Sequence, residues 1–346
     1  MTHRQANRIL LAGNDVGGVL VLQAMVTPLM EAGWQVTRWA HGYGTQVWPD
    51  ADSLTQQPDT ASLESAFDTI APDLLVTGTS RFDTFEHDLW NLAKKRGIPS
   101  VAVLDASYNL KMRFERGQEL NAQPDILALV DEQSRADIQT ESWCSARLEV
   151  VGQPHLENVA ETLHVRRAGR TAGSPPMLLF ASEAFREVIN PHRPIGFDQF
   201  SVAESVLTGL RSLNRPQRLV IKRHPIEPSD TWAAWIKEHA ANGPVEVELS
   251  EADTNDLLAV ADGVIGMSSG LLLEAAAAGI PLLALQPERN YILNPAAEIL
   301  KPLTNAAALP AAIAGFPGSN KTRNVELQVA GSQQRLLVLL THALSL

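Results

Sequence analysis

The stretch ADGVIGMSSGLLLEAAAAGIPLLAL, residues 261–285, contains two apolar segments with a helical pattern between them. A run this apolar resembles a single membrane span, but polar residues and a helix-stop sequence divide it. These interruptions are Ser268-Ser269, Glu274 and Gly279-Ile280-Pro281. The pattern therefore predicts strand, helix and strand. Continuously apolar strands joined by a helix are typical of a parallel sheet that is covered on both faces.

The same alternation extends through the rest of the chain. In the N-terminal half the predicted strands are 8–13, 35–40, 73–78, 100–105, 125–130 and 148–152, with helices near 17–32, 60–71, 83–96 and 132–141. In the C-terminal half the predicted strands are 177–182, 218–223, 245–249, 263–267 and 281–285, with helices near 199–213, 229–241, 254–261, 269–278 and 324–345. The fold class is therefore α/β, with two Rossmann-like domains.

A polar segment rich in glycine, arginine and proline, HVRRAGRTAGSPP at 164–176, separates the two halves and lacks periodicity. We expect an N-terminal domain over 1–165, a linker over 166–176, a C-terminal domain over 177–323 and a C-terminal helix over 324–346. We also expect parallel sheets in both domains, a cleft between the domains, and closure about the linker.

Composition excludes several classes of protein. The chain has 346 residues, and its 28 Lys and Arg against 39 Asp and Glu give a net charge of −11, which argues against a general nucleic-acid binder. Its single cysteine, Cys144, excludes an internal disulfide and a thiolate zinc site, which favours the cytoplasm. Asn14-Asp15 interrupts the apolar run 8–30, so we predict no transmembrane segment.

In open parallel sheets, ligands bind beyond the carboxyl ends of the strands. The first strand is followed by a glycine-rich loop with Asp15, Gly17 and Gly18, where the backbone can approach a ligand. Asp15 is a candidate general base, although Asn14 or Asp15 could equally serve only as a helix cap. The loop is not a GxGxxG sequence, and no acidic residue follows the second strand, so a dinucleotide site is not favoured.

Polar residues also follow the third and fourth predicted strands. Thr79 and Ser80 precede a helix, and we expect them to cap it. After the fourth strand, Asp105 and Arg113 belong to a polar segment, VLDASYNLKMRF, that is denser in polar groups than a turn requires. Asp105 and Arg113 are therefore further candidate catalytic residues.

In the C-terminal half, three loops carry candidate phosphate-binding groups. The residues are Ser182, Glu183, Lys222, His224, Pro225, Ser268, Ser269 and Gly270. Each loop follows a predicted strand, and we expect Lys222 and His224 to meet the serines after adjacent strands, with Arg223 facing away. Glu274, in an otherwise apolar helix, is a candidate for binding ribose hydroxyls or for a buried structural hydrogen bond.

Together, the glycine-rich first loop, VVGQPHLENV (150–159), IKRHP (221–225) and the 261–285 stretch resemble the GT-B glycosyltransferase superfamily. The His-Pro and Ser-Ser motifs are similar to those of bacterial sialyltransferases, Kdo transferases and CDP-glycerol transferases. The chain also resembles non-hydrolysing UDP-N-acetylglucosamine 2-epimerases. It departs from the sialyltransferases, since Asp131-Glu132 is followed by Gln133 instead of glycine, and from the epimerases, since FASEAFRE replaces their His-Arg-x-Glu-Asn block.

The resemblance implies a glycosyltransferase that moves a sugar from a UDP- or CMP-activated donor to an acceptor in glycan or secondary-metabolite synthesis. It also implies two alternatives: an epimerase or hydrolase of the same fold, and a non-catalytic subunit that binds a nucleotide sugar. We expect no cofactor and no metal, because the Asp-containing sequence PDADS at 49–53 lies in a loop-like segment. The expected partners are the donor and an acceptor, and a homodimer is the assembly considered.

Overall fold

A computed structural model describes residues 7–50, 52–53, 60–81, 83–117, 119–120, 122–171, 173, 175–188, 195–240, 243–292, 294–316 and 329–344. The chain divides into two compact units, Met1–Asn158 with Gln328–Leu346, and Val159–Leu327. The boundary between the units falls within a helix, Pro154–Arg167, whereas the sequence places a linker at 166–176. Within the described residues, no helix combines the length and the apolar character needed to cross a membrane.

The first unit is built on a parallel sheet of seven strands. The strands of this unit are β1 (Arg8–Gly13), β2 (Gln35–Ala40), β3 (Asp52–Ser53), β4 (Leu74–Thr77), β5 (Ser100–Val103), β6 (Glu115–Arg116), β7 (Glu119–Leu120), β8 (Ile126–Leu129) and β9 (Arg147–Val150). The sheet order is β3-β2-β1-β4-β5-β8-β9, and β6 and β7 form a separate antiparallel pair. The helices are α1 (Val16–Glu31), α2 (Thr60–Ile70), α3 (Phe85–Arg96) and α4 (Glu132–Glu141), and α5 (Pro154–Arg167) contains the boundary with the second unit.

Apolar side chains on both faces of β1 explain its central position. Ile9 and Leu11 belong to one core cluster, and Leu10 and Ala12 belong to another, as expected when successive side chains point to opposite faces. All four residues are fully buried.

The second unit has a parallel sheet of five strands in the order β12-β11-β10-β13-β14. Its strands are β10 (Met177–Ala181), β11 (Gln217–Lys222), β12 (Val245–Leu249), β13 (Gly263–Gly266) and β14 (Leu282–Ala284). Its helices are α6 (Phe185–Val188), α7 (Gln199–Ser212), α8 (Ser229–His239), α9 (Thr254–Val260), α10 (Gly270–Ala277) and α11 (Leu309–Ala314). The chain then returns to the first unit as α12 (Ser332–Ala343), whose Leu336 and Leu340 join the core beside α1.

The prediction of two Rossmann-like sheets is confirmed. Every predicted strand is present, with ends that differ by no more than two residues. The short elements β3, β6, β7, α6 and α11 were not predicted, and neither was α5. Part of the predicted helix near 324–345 lies outside the described residues, and its described portion is α12. The predicted adjacency of β11 and β13 is wrong, because β10 pairs with both.

Candidate functional site

In the first unit, the strand order reverses at β1, which pairs with β2 on one side and with β4 on the other. The loops that follow β1 and β4 therefore separate and leave room for a ligand at the carboxyl edge of the sheet. Polar side chains from these loops, from the segment after β5 and from the start of α3 meet there. They are Asn14, Asp15, Thr79, Ser80, Glu86, Asp105 and Arg113.

Asp15 is the N-cap residue of α1 by backbone position, but its side chain makes no capping hydrogen bond to the helix. Its two oxygens accept hydrogen bonds from elsewhere: Oδ1 from Asn14 Nδ2 at 3.3 Å and Oδ2 from the Arg81 amide at 3.3 Å. Burial raises the pKa of Asp15, and the nearby Asp105 charge adds to that effect, while the Arg81 amide opposes it. The Asp15 side chain therefore does not cap α1. Its role as a general base stays a prediction.

Asp105 and Arg113, predicted as further catalytic residues, form an ion pair in which Arg113 is buried and Asp105 is half-buried. Arg113 Nη1 lies 2.5 Å from Asp105 Oδ1 and 2.8 Å from Thr79 Oγ1, and Arg113 is only 7% exposed. Arg113 Nε is buried and has no hydrogen-bond partner in the described part of the chain. The expectation that Thr79 caps a helix is wrong, since Thr84 is the N-cap residue of α3 and the Thr79 hydroxyl binds Arg113.

Glu86, on the first turn of α3, is a member of this cluster that sequence reasoning missed. It is 1% exposed, and its Oε1 accepts hydrogen bonds from the Asn14 amide at 3.1 Å and from Ser80 Oγ at 2.7 Å. Ser80 therefore donates a hydrogen bond to Glu86 and is not the predicted helix cap. Burial raises the pKa of Glu86 to about 7. In the sequence, a glutamate at a helix start looks like an ordinary residue that complements the helix dipole, so no signal marks it.

The chain itself occupies the space beside Gly17 and Gly18. A Cβ atom on Gly17 would lie 2.1 Å from Asp105 Oδ2, and one on Gly18 would lie 3.1 Å from Gly78 Cα. Both glycines thus allow close approach of neighbouring loops. Their predicted role in ligand binding stays a prediction.

In the second unit, β10 lies at the centre of the sheet, so the segment after it contacts the segments after both β11 and β13. Glu183, just after β10, accepts hydrogen bonds from the Ser268 amide at 2.6 Å and from Ser268 Oγ at 2.7 Å. Burial raises the pKa of Glu183 to about 7, although the Ser268 donors oppose the shift. A carboxylate of the chain therefore lies where the sequence predicts a phosphate.

A second carboxylate, Glu227, occupies the segment after β11. Its Oε1 accepts from Ser182 Oγ at 2.7 Å, and its Oε2 accepts from the His224 amide at 2.5 Å. Lys222 Nζ donates to the Ala252 carbonyl at 2.7 Å, in the segment after β12. Because β12 lies on the side of β11 away from β13, the expected convergence of Lys222 with the serines is wrong.

The other predicted residues of the second unit have separate surroundings. His224 and Pro225 are exposed in the turn after β11, and partial desolvation by the surrounding chain lowers the pKa of the His224 imidazole. Ser269 caps α10 through a 3.2 Å hydrogen bond from the Leu271 amide. A Cβ on Gly270 would have nothing within 4 Å, so the backbone at this helix start is open, and Glu274 lies half-buried on the same helix.

Within the described ranges, no group of three or more His, Cys, Asp or Glu side chains is arranged to hold a metal ion.

Neither a family model nor a curated protein matches the sequence. Solved structures do match at low identity. UDP-GlcNAc 2-epimerase from Neisseria meningitidis, bound to UDP-GlcNAc, aligns with a TM-score of 0.69 and 12% identity over 97% of this chain and 99% of its own. MurG from Acinetobacter baumannii gives 0.56 and 12% over 97% and 99%, and Arabidopsis thaliana UGT89C1, complexed with quercetin, gives 0.60 and 11% over 98% and 100%. At this identity the likeness concerns the fold alone, and the chain has the GT-B fold.

Proposed function

We propose that the protein is a metal-independent glycosyltransferase that moves a sugar from a UDP- or CMP-activated donor to an acceptor hydroxyl. The GT-B fold supports an activity on nucleotide sugars, since two of its structural neighbours carry UDP-GlcNAc and UDP-glucose. The observation that carries the proposal is the Asp15 carboxylate, which lies at the strand reversal of the first unit with a raised pKa and no capping bond to its helix.

In this proposal Asp15 takes the proton of the acceptor hydroxyl while the acceptor oxygen bonds to the sugar and the nucleotide leaves. A raised pKa suits a base, because it makes the carboxylate a better proton acceptor at neutral pH. Asp105 is the second candidate. Its Oδ1 is already paired with the Arg113 guanidinium at 2.5 Å, so it is less available than Asp15 to accept the acceptor's proton.

We propose that the second unit holds the donor. The start of α10, at Ser268, Ser269 and Gly270, would bind the phosphate of CMP or the diphosphate of UDP together with His224, and the helix dipole would stabilise the departing nucleotide. Because Glu183 holds the Ser268 amide, a phosphate that reaches this amide has to displace the Glu183 carboxylate. Glu274 would contact the ribose.

The proposal is tested with Asp15→Asn and the matched control Asp88→Asn, an exposed aspartate on α3. Release of UDP or CMP from nucleotide sugars, with and without acceptor extracts, is followed by NMR, and nucleotide affinity is measured by calorimetry. We expect Asp15→Asn to reduce turnover about 100-fold or more, the contribution typical of a general base, with affinity unchanged. Near-normal turnover in this variant would exclude Asp15 as the base.

An epimerase is the second candidate, because the epimerase neighbour has a higher TM-score (0.69) than MurG (0.56) or UGT89C1 (0.60). Inversion at C2 breaks the C2–H bond, so the same assay in D2O separates the reactions. Deuterium at C2 without acceptor would identify an epimerase, and acceptor-independent release of UDP a hydrolase. Binding without turnover would identify a non-catalytic subunit.

A further inference from the structure

Glu86 belongs to the Asp15 cluster, yet the proposed transfer gives it no role. It is 1% exposed, and the Asn14 amide and Ser80 Oγ both donate to its Oε1; its own backbone amide also favours the ionised form, but burial outweighs all three. Its other oxygen, Oε2, is buried and has no hydrogen-bond partner among the described residues. An ionised Glu86 would therefore place negative charge on a buried oxygen that accepts no hydrogen bond from the described residues, which favours the neutral acid.

Asp15 is surrounded differently. Each of its oxygens accepts a hydrogen bond, one from Asn14 Nδ2 and one from the Arg81 amide, both at 3.3 Å. Donors on both oxygens stabilise the ionised form of a carboxyl group. Where two carboxyl groups lie close together, a single proton between them is favoured, and here the surroundings place that proton on Glu86.

Asn14 connects the two acids. Its backbone N–H donates to Glu86, and its side-chain amide donates to Asp15 Oδ1 and to Ser80 Oγ, both at 3.3 Å. Gly42 packs against the opposite side of this amide, since a Cβ there would lie 2.1 Å from Asn14 Oδ1. The amide therefore presents its NH2 group to Asp15, which stabilises a charged Asp15.

The other ionisable groups around the cluster come from the segments that pack against it. Asp105 and Arg113 are paired with each other after β5, His41 after β2 lies 3.8 Å from Asp83 before α3, and His87 on α3 contacts the Arg113 carbonyl at 2.8 Å. Arg81 reaches Asp15 through its backbone. These contacts supply no donor to Glu86 Oε2.

We propose that Glu86 is a positioning residue for Asp15: it keeps its proton while Asp15 ionises, so that the pair carries one negative charge and that charge lies on the base. The inference rests on the proposed role of Asp15 and deepens it. The pKa of Glu86, raised by burial to about 7, agrees with this order of ionisation.

The test is a 13C NMR titration of the side-chain carboxyl groups in the full-length protein, which needs no substrate. Wild type, Glu86→Gln and Asp15→Asn are compared, and the two variants assign the two signals. We expect two steps, with Asp15 ionising first and Glu86 near pH 7. In Glu86→Gln the upper step disappears and the Asp15 step stays within about 0.3 pH unit, because Glu86 is neutral while Asp15 titrates.

The opposite result is equally specific. If Glu86 ionises first, the Glu86→Gln change removes a negative neighbour, and the Asp15 step falls by about one pH unit or more, which would overturn the inference. If Glu86 only supports the fold, its titration step near pH 7 should be the same in wild type and in Asp15→Asn. We expect instead that Asp15→Asn lowers the pH of the Glu86 step, because it removes a neighbouring negative charge.

Asp88→Asn, an exposed change on the same turn of α3, is the control and should move neither step. If Glu86→Gln does not fold, Ser80→Ala decides, because it removes a donor to Glu86 Oε1 and should raise the upper step; an unchanged upper step would overturn the inference. Loss of Asp15-dependent turnover is measured separately, so an inactive enzyme would contradict the proposed transfer without altering the titration result.

Discussion

Each unit holds a glutamate at the carboxyl edge of a parallel sheet, Glu86 buried and Glu183 half-buried, and desolvation raises the pKa of each to about 7, but the two have different partners. Glu86 in the first unit has one oxygen without a partner and lies beside a second acid, Asp15. Glu183 in the second unit binds both donors of Ser268 at the start of α10. The same chemical group therefore lies beside a second acid in one unit and, in the other, occupies the place where the sequence predicts a bound anion.

The largest expected effect concerns stability, and it is common to both glutamates. A carboxyl group with a pKa near 7 in the folded chain and near 4.5 in the unfolded chain stabilises the fold below pH 4.5, and this stabilisation is lost as the pH rises through 7. The difference corresponds to about 3 kcal/mol for each group. We expect the unfolding free energy of wild type, relative to Glu86→Gln or Glu183→Gln, to fall by about this amount between pH 4.5 and pH 8.

Urea unfolding at a series of pH values measures this effect, with the exposed Glu132→Gln as control. If the difference in unfolding free energy between wild type and Glu86→Gln does not change with pH, while that for Glu183→Gln does, the pKa of Glu86 is not raised in the folded chain.

The next effect is on nucleotide affinity through His224. Its pKa is lowered, so the imidazole gains its charge only below its ordinary range near pH 6.5. A charge-assisted hydrogen bond contributes roughly 1.5–3 kcal/mol, so His224→Ala should weaken binding of a nucleotide sugar more than tenfold at pH 5.5 and less at pH 8. Calorimetry measures this, with His239→Ala as control. If wild type and His224→Ala bind the nucleotide sugar with equal affinity at both pH values, His224 does not contact the phosphate.

A smaller effect is expected from the carboxylate that fills the predicted anion site. Glu183→Gln removes a negative charge beside the Ser268 amide, and we expect it to tighten nucleotide binding about fivefold at pH 8 and less at pH 6, since repulsion between adjacent charges is worth on the order of 1 kcal/mol. Weaker binding would mean that Glu183 is a partner of the ligand and not its competitor.

The last comparison, which includes the smallest expected effect, separates two glycines that the sequence treats alike. Gly17→Ala forces the Asp105 carboxylate to move, because the added Cβ would lie 2.1 Å from Oδ2, and should cost about 1–2 kcal/mol of unfolding free energy. Gly270→Ala enters open space and should change stability by less than about 0.5 kcal/mol. It should reduce nucleotide affinity only if a phosphate approaches that backbone. Urea unfolding and calorimetry distinguish these outcomes.

Secondary structure and fold were predictable because the signals are local. A strand such as RILLAG at 8–13 is continuously apolar, and the helices after it carry the 3.6-residue pattern, so the order of elements follows from short windows of sequence. Short elements were missed because two to six residues give no clear period. Helix α5 was missed because it begins at Pro154, after Gly152, where the local residues are typical of a loop.

The candidate site was predictable in part, since residues after strands were identified but their partners were not. Asp15, Asp105 and Arg113 do meet at one edge of the first sheet. Glu86 was missed because its burial and its contact with Asn14 depend on the packing of α3 against the first loop, 72 residues away in sequence. Lys222 and the serines were expected together because strand order cannot be read from the sequence.

The sequence by itself determined the two parallel sheets, the order of the strands and helices along the chain, and the polar residues that end each strand, because hydrophobic periodicity and turn chemistry act over a few residues. Only the tertiary structure decided which strands are neighbours, and therefore that Glu183 and not a cation faces Ser268, and that Glu86 lies beside Asp15. The physical reason is that burial and hydrogen-bond partners, which set the charge of a carboxyl group, come from residues distant in the chain.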